Sequence, residues 1–275
     1  MRYFVVDAFT DQLFAGNPAG VCLLDHWLPD ATLQNIAREN NLSETAFVVP
    51  ANPIQAAAGA DYQLRWFTPE LEVNLCGHAT LASAFALFNF KETSAQKLNF
   101  QSLSGRLTVE RGPDGRLWLD FPARPATPTV NYPALIAAFG RSDFQTWLSN
   151  DILVVFAQAD QVRQLQPDFE QMQAVKQQAQ MASDDFGVII TAPGEDCDFV
   201  SRFFGPLVGV PEDPVTGRAH CVLTPYWSQR LGKSQLVARQ LSQRGGRLWC
   251  ENQGDRVRIG GQARLYLQGE IHLSD

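Results

Sequence analysis

The chain has no unbroken run of about 20 apolar residues, the length a helix needs to cross a bilayer, although 45% of its 275 residues are hydrophobic. Only 19% are charged, and the formal net charge is −7. No basic stripe stands out, so nucleic acid is not an expected partner. No polybasic patch marks a membrane surface either. The acidic balance favours solubility and names no partner. Cysteine is sparse and odd in number: Cys22, Cys76, Cys197, Cys221 and Cys250. Neither C-x-x-C nor H-x-x-x-H occurs, so no zinc site is expected. Unpaired thiols fit a reducing cytoplasm. Met1 leads straight into Arg2-Tyr3-Phe4-Val5-Val6-Asp7, with no basic or long apolar stretch ahead of it, and no secretory signal is expected.

What the chain does have is a repeat. Arg65-Trp66-Phe67-Thr68-Pro69 is followed by Glu72 and Gly77-His78-Ala79; Arg202-Phe203-Phe204-Gly205-Pro206 is followed by Glu212 and Gly217-Arg218-Ala219. The two glycines are 140 residues apart, and the second copy carries three extra residues between its proline and its glutamate. Each copy runs into an apolar segment, Thr80 to Phe90 and Cys221 to Leu231, that reads as a helix. Two similar halves of about 120–140 residues are a normal domain size, and such halves usually build one site between them, lined by the matching helix starts.

The rest of the chain reads as short strands with few helices. Strands are expected over Tyr3 to Ala8, Ala19 to Leu24, Phe47 to Val49, Tyr62 to Phe67, Leu98 to Ser102, Arg106 to Arg111 and Arg116 to Phe121. A helix over Asp30 to Asn40 has Asp30 as its candidate cap. The proline-rich stretch Phe121 to Pro128 reads as the linker. Beyond it come a helix from Tyr132 to Phe139, a strand from Ile152 to Phe156 and a polar helix from Asp168 to Met181. Strands then follow over Gly187 to Thr191, Phe199 to Phe204, Leu236 to Gln240, Gly246 to Glu251, Arg256 to Gly260 and Ala263 to Leu273. The fold class is therefore α+β: two pseudo-symmetric domains, each a curved, mostly antiparallel sheet wrapped around a central helix. The halves are residues 1–122 and 123–275, with the last strand, about 264–275, able to pack back onto the first.

Several residues in this frame can carry chemistry. The helix starts at Gly77 and Gly217 offer unpaired N–H groups and a partial positive charge that attract anions such as a carboxylate; a glycine there can equally serve only a tight turn. Glu44, in Leu42-Ser43-Glu44-Thr45-Ala46-Phe47, is either a surface residue or a site-facing acid. Ser183-Asp184 lies 140 residues after Ser43-Glu44, the spacing of the glycines, which favours a repeated, site-facing place. A partly desolvated carboxyl there can exchange protons near neutral pH. His78 either bonds the helix end or acts in the site. Asp213, in Glu212-Asp213-Pro214, has the form of a plain turn. Asp7 and Glu72 read as structural. Cys76 sits before a helix start, where a thiolate is favoured, yet its counterpart is Thr216, so the pair of thiols that a two-base epimerase uses is absent.

Four segments together, Asn17-Pro18-Ala19-Gly20-Val21, Leu42 to Phe47, Cys76-Gly77-His78-Ala79-Thr80 and Glu212-Asp213-Pro214-Val215-Thr216-Gly217, resemble the signatures of the phenazine-biosynthesis PhzF-like isomerase family over nearly the whole chain. That resemblance implies a fold like diaminopimelate epimerase, with the site in the cleft between the domains, no cofactor and no metal, and a homodimer. It implies a cofactor-independent proton transfer on a small carboxylate-bearing substrate, with Glu44 as the proton shuttle and His78 and Asp213 as its catalytic partners. Ser43, Gly77, Ala79, Thr216, Gly217 and Arg218 then line the substrate. Arg218 departs from the family's usual serine. It is open to pairing with a substrate carboxylate, to pairing with Glu44 or Asp213, or to turning outward. Two rivals stand beside this expectation: a small-molecule-binding protein that has lost catalysis, and a one-thiol racemase using Cys76.

Overall fold

The computed structural model describes residues 1–91, 94–181, 186–205 and 210–273. Its contacts divide the chain into two units, Met1–Phe121 with Arg258–Asp275, and Pro122–Val257. Residues from Arg258 onward thus group with the first unit.

The first unit begins with β1 (Arg2–Ala8), β2 (Asn17–Leu23), α1 (Asp30–Asn40), β3 (Glu44–Pro50), the single-turn α2 (Pro53–Ala57) and β4 (Tyr62–Phe67). It continues with β5 (Glu72–Val73), α3 (Gly77–Phe90), β6 (Lys97–Ser102), β7 (Gly105–Arg111) and β8 (Leu117–Pro122). α3 starts three residues before the expected Thr80, because Gly77, His78 and Ala79 already turn as helix. Its sequence is apolar on every face, and a helix of that kind must be enclosed. Residues from His78 to Ala84 and from Ala86 to Phe88 are buried, against β1, β2, β3 and β7. Many of them are alanine or serine, which lets the strands approach closely.

α1 matches its expected bounds, but Asp30 is not its cap. Pro29 occupies that place, and Asp30 is the first helical residue, paired instead with Arg65. A proline has no side-chain acceptor, so the cap position makes no side-chain hydrogen bond, and only its carbonyl accepts, from the Thr32 and Leu33 N–H groups. Under α1 lies a small core of Leu33, Ile36, Phe47, Val49 and Phe67.

The second unit carries β9 (Thr127–Thr129) inside the proline-rich stretch read as linker, then α4 (Pro133–Phe139), β10 (Gln145–Leu148), β11 (Ile152–Val155) and α5 (Ala159–Gln164). The expected polar helix from Asp168 to Met181 is broken into α6 (Phe169–Gln173) and α7 (Val175–Gln178). Asp168 caps α6 by accepting from the Glu170 and Gln171 N–H groups. Next come β12 (Val188–Pro193), β13 (Phe199–Gly205), β14 (Val210–Asp213), α8 (Gly217–Leu231), β15 (Gln235–Gln240) and β16 (Gly246–Asn252). β17 (Arg256–Gly261) and β18 (Ala263–Glu270) end the chain, and β18 pairs antiparallel with β1 and also packs on α3. The last strand stops at Glu270, short of the expected Leu273.

α8 holds Pro225 in its interior. A proline there removes one N–H and frees the carbonyl four residues back. That carbonyl, on Cys221, accepts instead from the Arg124 N–H at 2.9 Å. The helix continues because the chain after β8 supplies the missing donor.

The repeat seen in the sequence is a repeat of strand pairing. In the first unit β2–β3 is parallel, β3–β4 antiparallel, β4–β6 parallel and β6–β7 antiparallel. In the second unit β11–β12, β12–β13, β13–β15 and β15–β16 follow the same order of senses. β5 on β4 and β14 on β13 are the matching short antiparallel additions. Each unit is thus the expected α+β sheet with one long, buried helix. Among the described residues no helix is long and apolar enough to cross a membrane.

Candidate active site

The repeated Arg and Glu residues form the same device twice. Arg65 grips Glu72 through Nε and Nη2 at 2.7 Å each, and Arg202 grips Glu212 at 2.7 and 2.9 Å. In each unit the guanidinium also lies over the phenylalanine two residues on, at 5.1 Å for Phe67 and 4.9 Å for Phe204. Residues two apart share a strand face, which explains the Arg-aromatic-Phe pattern. Each bidentate clamp ties β4 to β5, or β13 to β14, and so fixes the turn that leads into α3 or α8. Glu72 is therefore structural, as is Asp7, which accepts from the Phe14 N–H at 3.0 Å. Pro206 of the second copy lies outside the described residues, and so does the expected Ser183-Asp184 counterpart of Ser43-Glu44.

Three elements of the first unit bring a polar cluster together. β2 and β3 are parallel, so Asn17 and Glu44 begin at the same end of the sheet. The start of α3 reaches the same place. His78 Nε2 lies 3.1 Å from Glu44 Oε2, in an ion-pair approach that lacks hydrogen-bond alignment. On the other side of the ring, Nδ1 is 3.2 Å from Asn17 Nδ2 and 3.4 Å from Cys76 Sγ. His78 is buried, whereas the Glu44 side chain keeps 19% of its surface exposed. Glu44 is thus the most exposed member of the cluster.

Burial alone would push the His78 imidazole down. The Cys76 sulfur and the Glu44 carboxylate outweigh it and hold the ring well above an ordinary histidine. The Cys76 thiol is pushed up to about 11, chiefly by burial and then by Glu44. A sulfur still protonated at neutral pH brings no charge to its neighbour, so Glu44 is the partner that supports a charged His78. The Asn17 amide as placed stands against a charged ring. With its nitrogen toward Nδ1, the ring accepts there and its one proton sits on Nε2, facing Glu44; a doubly protonated ring needs the amide oxygen in that place.

The remaining expected residues fall as follows. Ser43 lies in the bend before β3, half-buried. Cys76 and Thr216 are equivalent: each is the N-cap of its long helix, extended in backbone and without a side-chain cap hydrogen bond. Gly77 and Gly217 are the first helical residues, and neither is among the glycines of positive φ. A left-handed turn is therefore not what places glycine there. Ala79 is wholly buried. Asp213 ends β14, accepts from the Thr216 hydroxyl, and is further tied by its carbonyl to Gln240 Nε2 at 2.8 Å.

Arg218 has a partner beyond those left open for it in the sequence. It pairs with Asp151, Nη2 to Oδ1 at 3.0 Å, and lies over the Phe203 ring. Asp151 is fully buried and also accepts from the Gly187 N–H at 2.8 Å. A Cβ on Gly187 would lie 2.1 Å from the Phe203 ring, so this glycine is needed for close approach. Sequence reasoning missed Asp151 because it belongs to no motif, and missed Asn17 as a partner of His78 because the two are 61 residues apart. The position after the helix-start glycine nevertheless follows one rule in both units: a nitrogen base, His78 or Arg218, paired with a carboxylate, Glu44 or Asp151.

Residues 6–269 match the family model described as phenazine biosynthesis-like protein. An uncharacterized isomerase of Pseudomonas aeruginosa is 48% identical over 273 residues, covering 99% of each chain. The crystal structure of a PhzF-family phenazine biosynthesis protein from Enterococcus faecalis superposes with a TM-score of 0.90 at 45% identity, covering 99% of each chain. A hydroxyproline epimerase from Agrobacterium vitis reaches a TM-score of 0.63 at 11% identity, over 100% of this chain and 93% of that one, a likeness of fold alone. The fold and these relatives define an isomerase-type enzyme on an epimerase-like α+β scaffold. The chain belongs to the phenazine biosynthesis-like family.

Proposed function

We propose that this enzyme moves a proton on a small, carboxylate-bearing substrate without a cofactor, with Glu44 as the general acid and base. The observation that carries the reading is the Glu44–His78 pair, 3.1 Å apart, with the acid partly exposed and the imidazole buried behind it. The Glu44 carboxylate takes a proton from a substrate carbon and becomes the neutral acid. It then returns that proton to a second carbon on the same face. His78 holds the carboxylate in place and offsets its charge, so a single base serves both steps. N–H groups at the start of α3, which no side chain caps, are the proposed anchor for the substrate carboxylate. Asp213 and Thr216 enter the proposal from the sequence match, as positioning residues of the second unit. The proposed assembly is a homodimer, which light scattering on the purified chain checks.

Proton–deuterium exchange into a panel of small cyclic and amino acids in heavy water tests the reading. Exchange that disappears in Glu44→Gln while ligand binding persists supports it; exchange within a few-fold of wild type sinks the assignment of Glu44. The rival is a one-thiol racemase, favoured by Cys76 Sγ lying 3.4 Å from a histidine nitrogen. The thiol's pKa of about 11 weakens it, since only about one molecule in ten thousand is a thiolate at pH 7.

A further inference from the structure

The His78 ring is held from two sides. The Asn17 amide nitrogen stands 3.2 Å from Nδ1, and Glu44 Oε2 lies 3.1 Å from Nε2. We propose that Asn17 is a positioning residue of the proton shuttle, whose carboxamide keeps a proton on His78 Nε2, facing Glu44, whether the ring is neutral or charged. The tautomer rests on geometry alone; its effect on turnover rests on the proposed role of Glu44.

The two ends of the amide make this possible. A neutral imidazole has one N–H and one acceptor nitrogen, and a charged one has two N–H groups. With its NH2 toward Nδ1, Asn17 donates there, so the neutral ring keeps its proton on Nε2. After a half-turn the amide oxygen accepts from Nδ1–H, and the ring carries both protons. Neither orientation takes the N–H away from Glu44, so the second proton enters and leaves at Nδ1. Asn17 is wholly buried and His78 is 5% exposed, so bulk water does not compete for that nitrogen. A carboxylate in place of the amide only accepts. Wholly buried, it would need the proton more than the part-exposed Glu44 does, and would draw it to Nδ1.

The backbone aims the side chain. Gly16 has φ +67°, and a Cβ on it would lie 2.2 Å from the Ala8 carbonyl oxygen, so glycine is needed at the entry to β2. Pro18 then confines Asn17 to extended backbone, paired with Ala8 of β1. Cys76 Sγ, 3.4 Å from Nδ1, is the second group at that nitrogen, and a thiol is only a weak donor. Cys76 and Glu44 are the titratable groups that act on the ring. Asp7 of β1 holds the Phe14 N–H instead, and Arg106, Glu110 and Arg264 of β7 and β18 pair with the Ala58 carbonyl, Lys97 and the Asp11 carbonyl.

Nitrogen-15 spectra of the histidine-labelled full chain, titrated upward in pH, test the assignment, with the His78 signals identified by their loss in His78→Gln. In the wild type Nδ1 should lose its proton while Nε2 keeps its own, and Cys76→Ala should behave the same way. In Asn17→Asp the neutral ring should shift its proton to Nδ1. Deuterium exchange into a substrate should follow. The wild type keeps turning over above the His78 titration, whereas Asn17→Asp loses at least about tenfold in kcat there, with KM little changed. The wild-type titration needs no variant: a neutral ring protonated on Nδ1 overturns the proposal. A Cys76→Ala chain that switches tautomer overturns it too, as does a folded Asn17→Asp chain that keeps the proton wholly on Nε2. A proton held on Nε2 as expected, in an enzyme whose Glu44→Gln variant still turns over, leaves the Asn17 assignment standing and removes the proton-shuttle reading.

Discussion

Arg218 Nη2 meets Asp151 Oδ1 at 3.0 Å, on a carboxylate with no exposure to solvent. The residue that departs from the serine implied by the family resemblance is thus tied into its own unit. Asp151 holds the Gly187 N–H with the same oxygen. Truncating the arginine would take a cationic partner from that buried carboxylate.

Arg218→Ser should therefore destabilise the protein, by on the order of 3 kcal/mol. Adding Asp151→Asn should restore part of the loss, because the buried charge is then gone. Urea unfolding of the two single variants and the double variant measures the coupling. Additive losses would show that the pair carries no energy of its own.

The two Arg–Glu clamps should differ in weight. Arg202 is 8% exposed and also donates to the Val162 and Leu165 carbonyls, at 3.1 and 2.6 Å. Arg65 is 22% exposed, and its third partner, Asp30, is 78% exposed. Lysine cannot make the bidentate contact. Arg202→Lys should cost about 3 kcal/mol and Arg65→Lys about 1 kcal/mol, again by urea unfolding. Equal losses would contradict the ranking.

His220 takes the place in α8 that Thr80 holds in α3. Its Nδ1 donates to the Thr216 carbonyl at 2.8 Å, as the Thr80 hydroxyl donates to that of Cys76 at 2.6 Å. Complete burial pushes its pKa down to about 4. The unfolded chain binds a proton there near pH 6.5 and the folded chain does not, so stability should fall as pH drops from about 6.5 to 4, by roughly 3 kcal/mol in all. Below pH 4 this group adds no further loss. His78 acts in the opposite sense. Its raised folded pKa gives stability that is full below about pH 6.5 and is lost as pH rises through the folded value. Unfolding free energy against pH should therefore fall away on both sides of a maximum, and His220→Asn should flatten the acid side. An acid limb unchanged by that substitution would refute the assignment.

Much of this was written in the chain, and the reasons differ by element. Strands with clear alternation, such as Tyr62 to Phe67, matched because one face is buried and the pattern shows it. The long helices begin at Gly77 and Gly217, the helix-start glycines of the repeat, three and four residues ahead of the apolar segments from Thr80 and Cys221. The run from Asp168 breaks at Ala174, although Phe169, Met172, Val175 and Ala179 keep a core-facing side at helical spacing. β5 and β14, two and four residues long, are too short to carry a pattern. Glu44 and His78 were legible through motifs. Asn17's contact with the ring and Asp151's with Arg218 were not, because each joins residues far apart in sequence through a fold that no local pattern encodes.

The central claim is that Glu44, and not Cys76, moves the proton. The most direct measurement is catalysed hydrogen–deuterium exchange by Glu44→Gln and Cys76→Ala, side by side, on a substrate that the wild-type enzyme exchanges. The account predicts that Cys76→Ala stays within about tenfold of wild type, while Glu44→Gln loses about 100- to 10,000-fold. Loss of exchange in Cys76→Ala with retention in Glu44→Gln would contradict it.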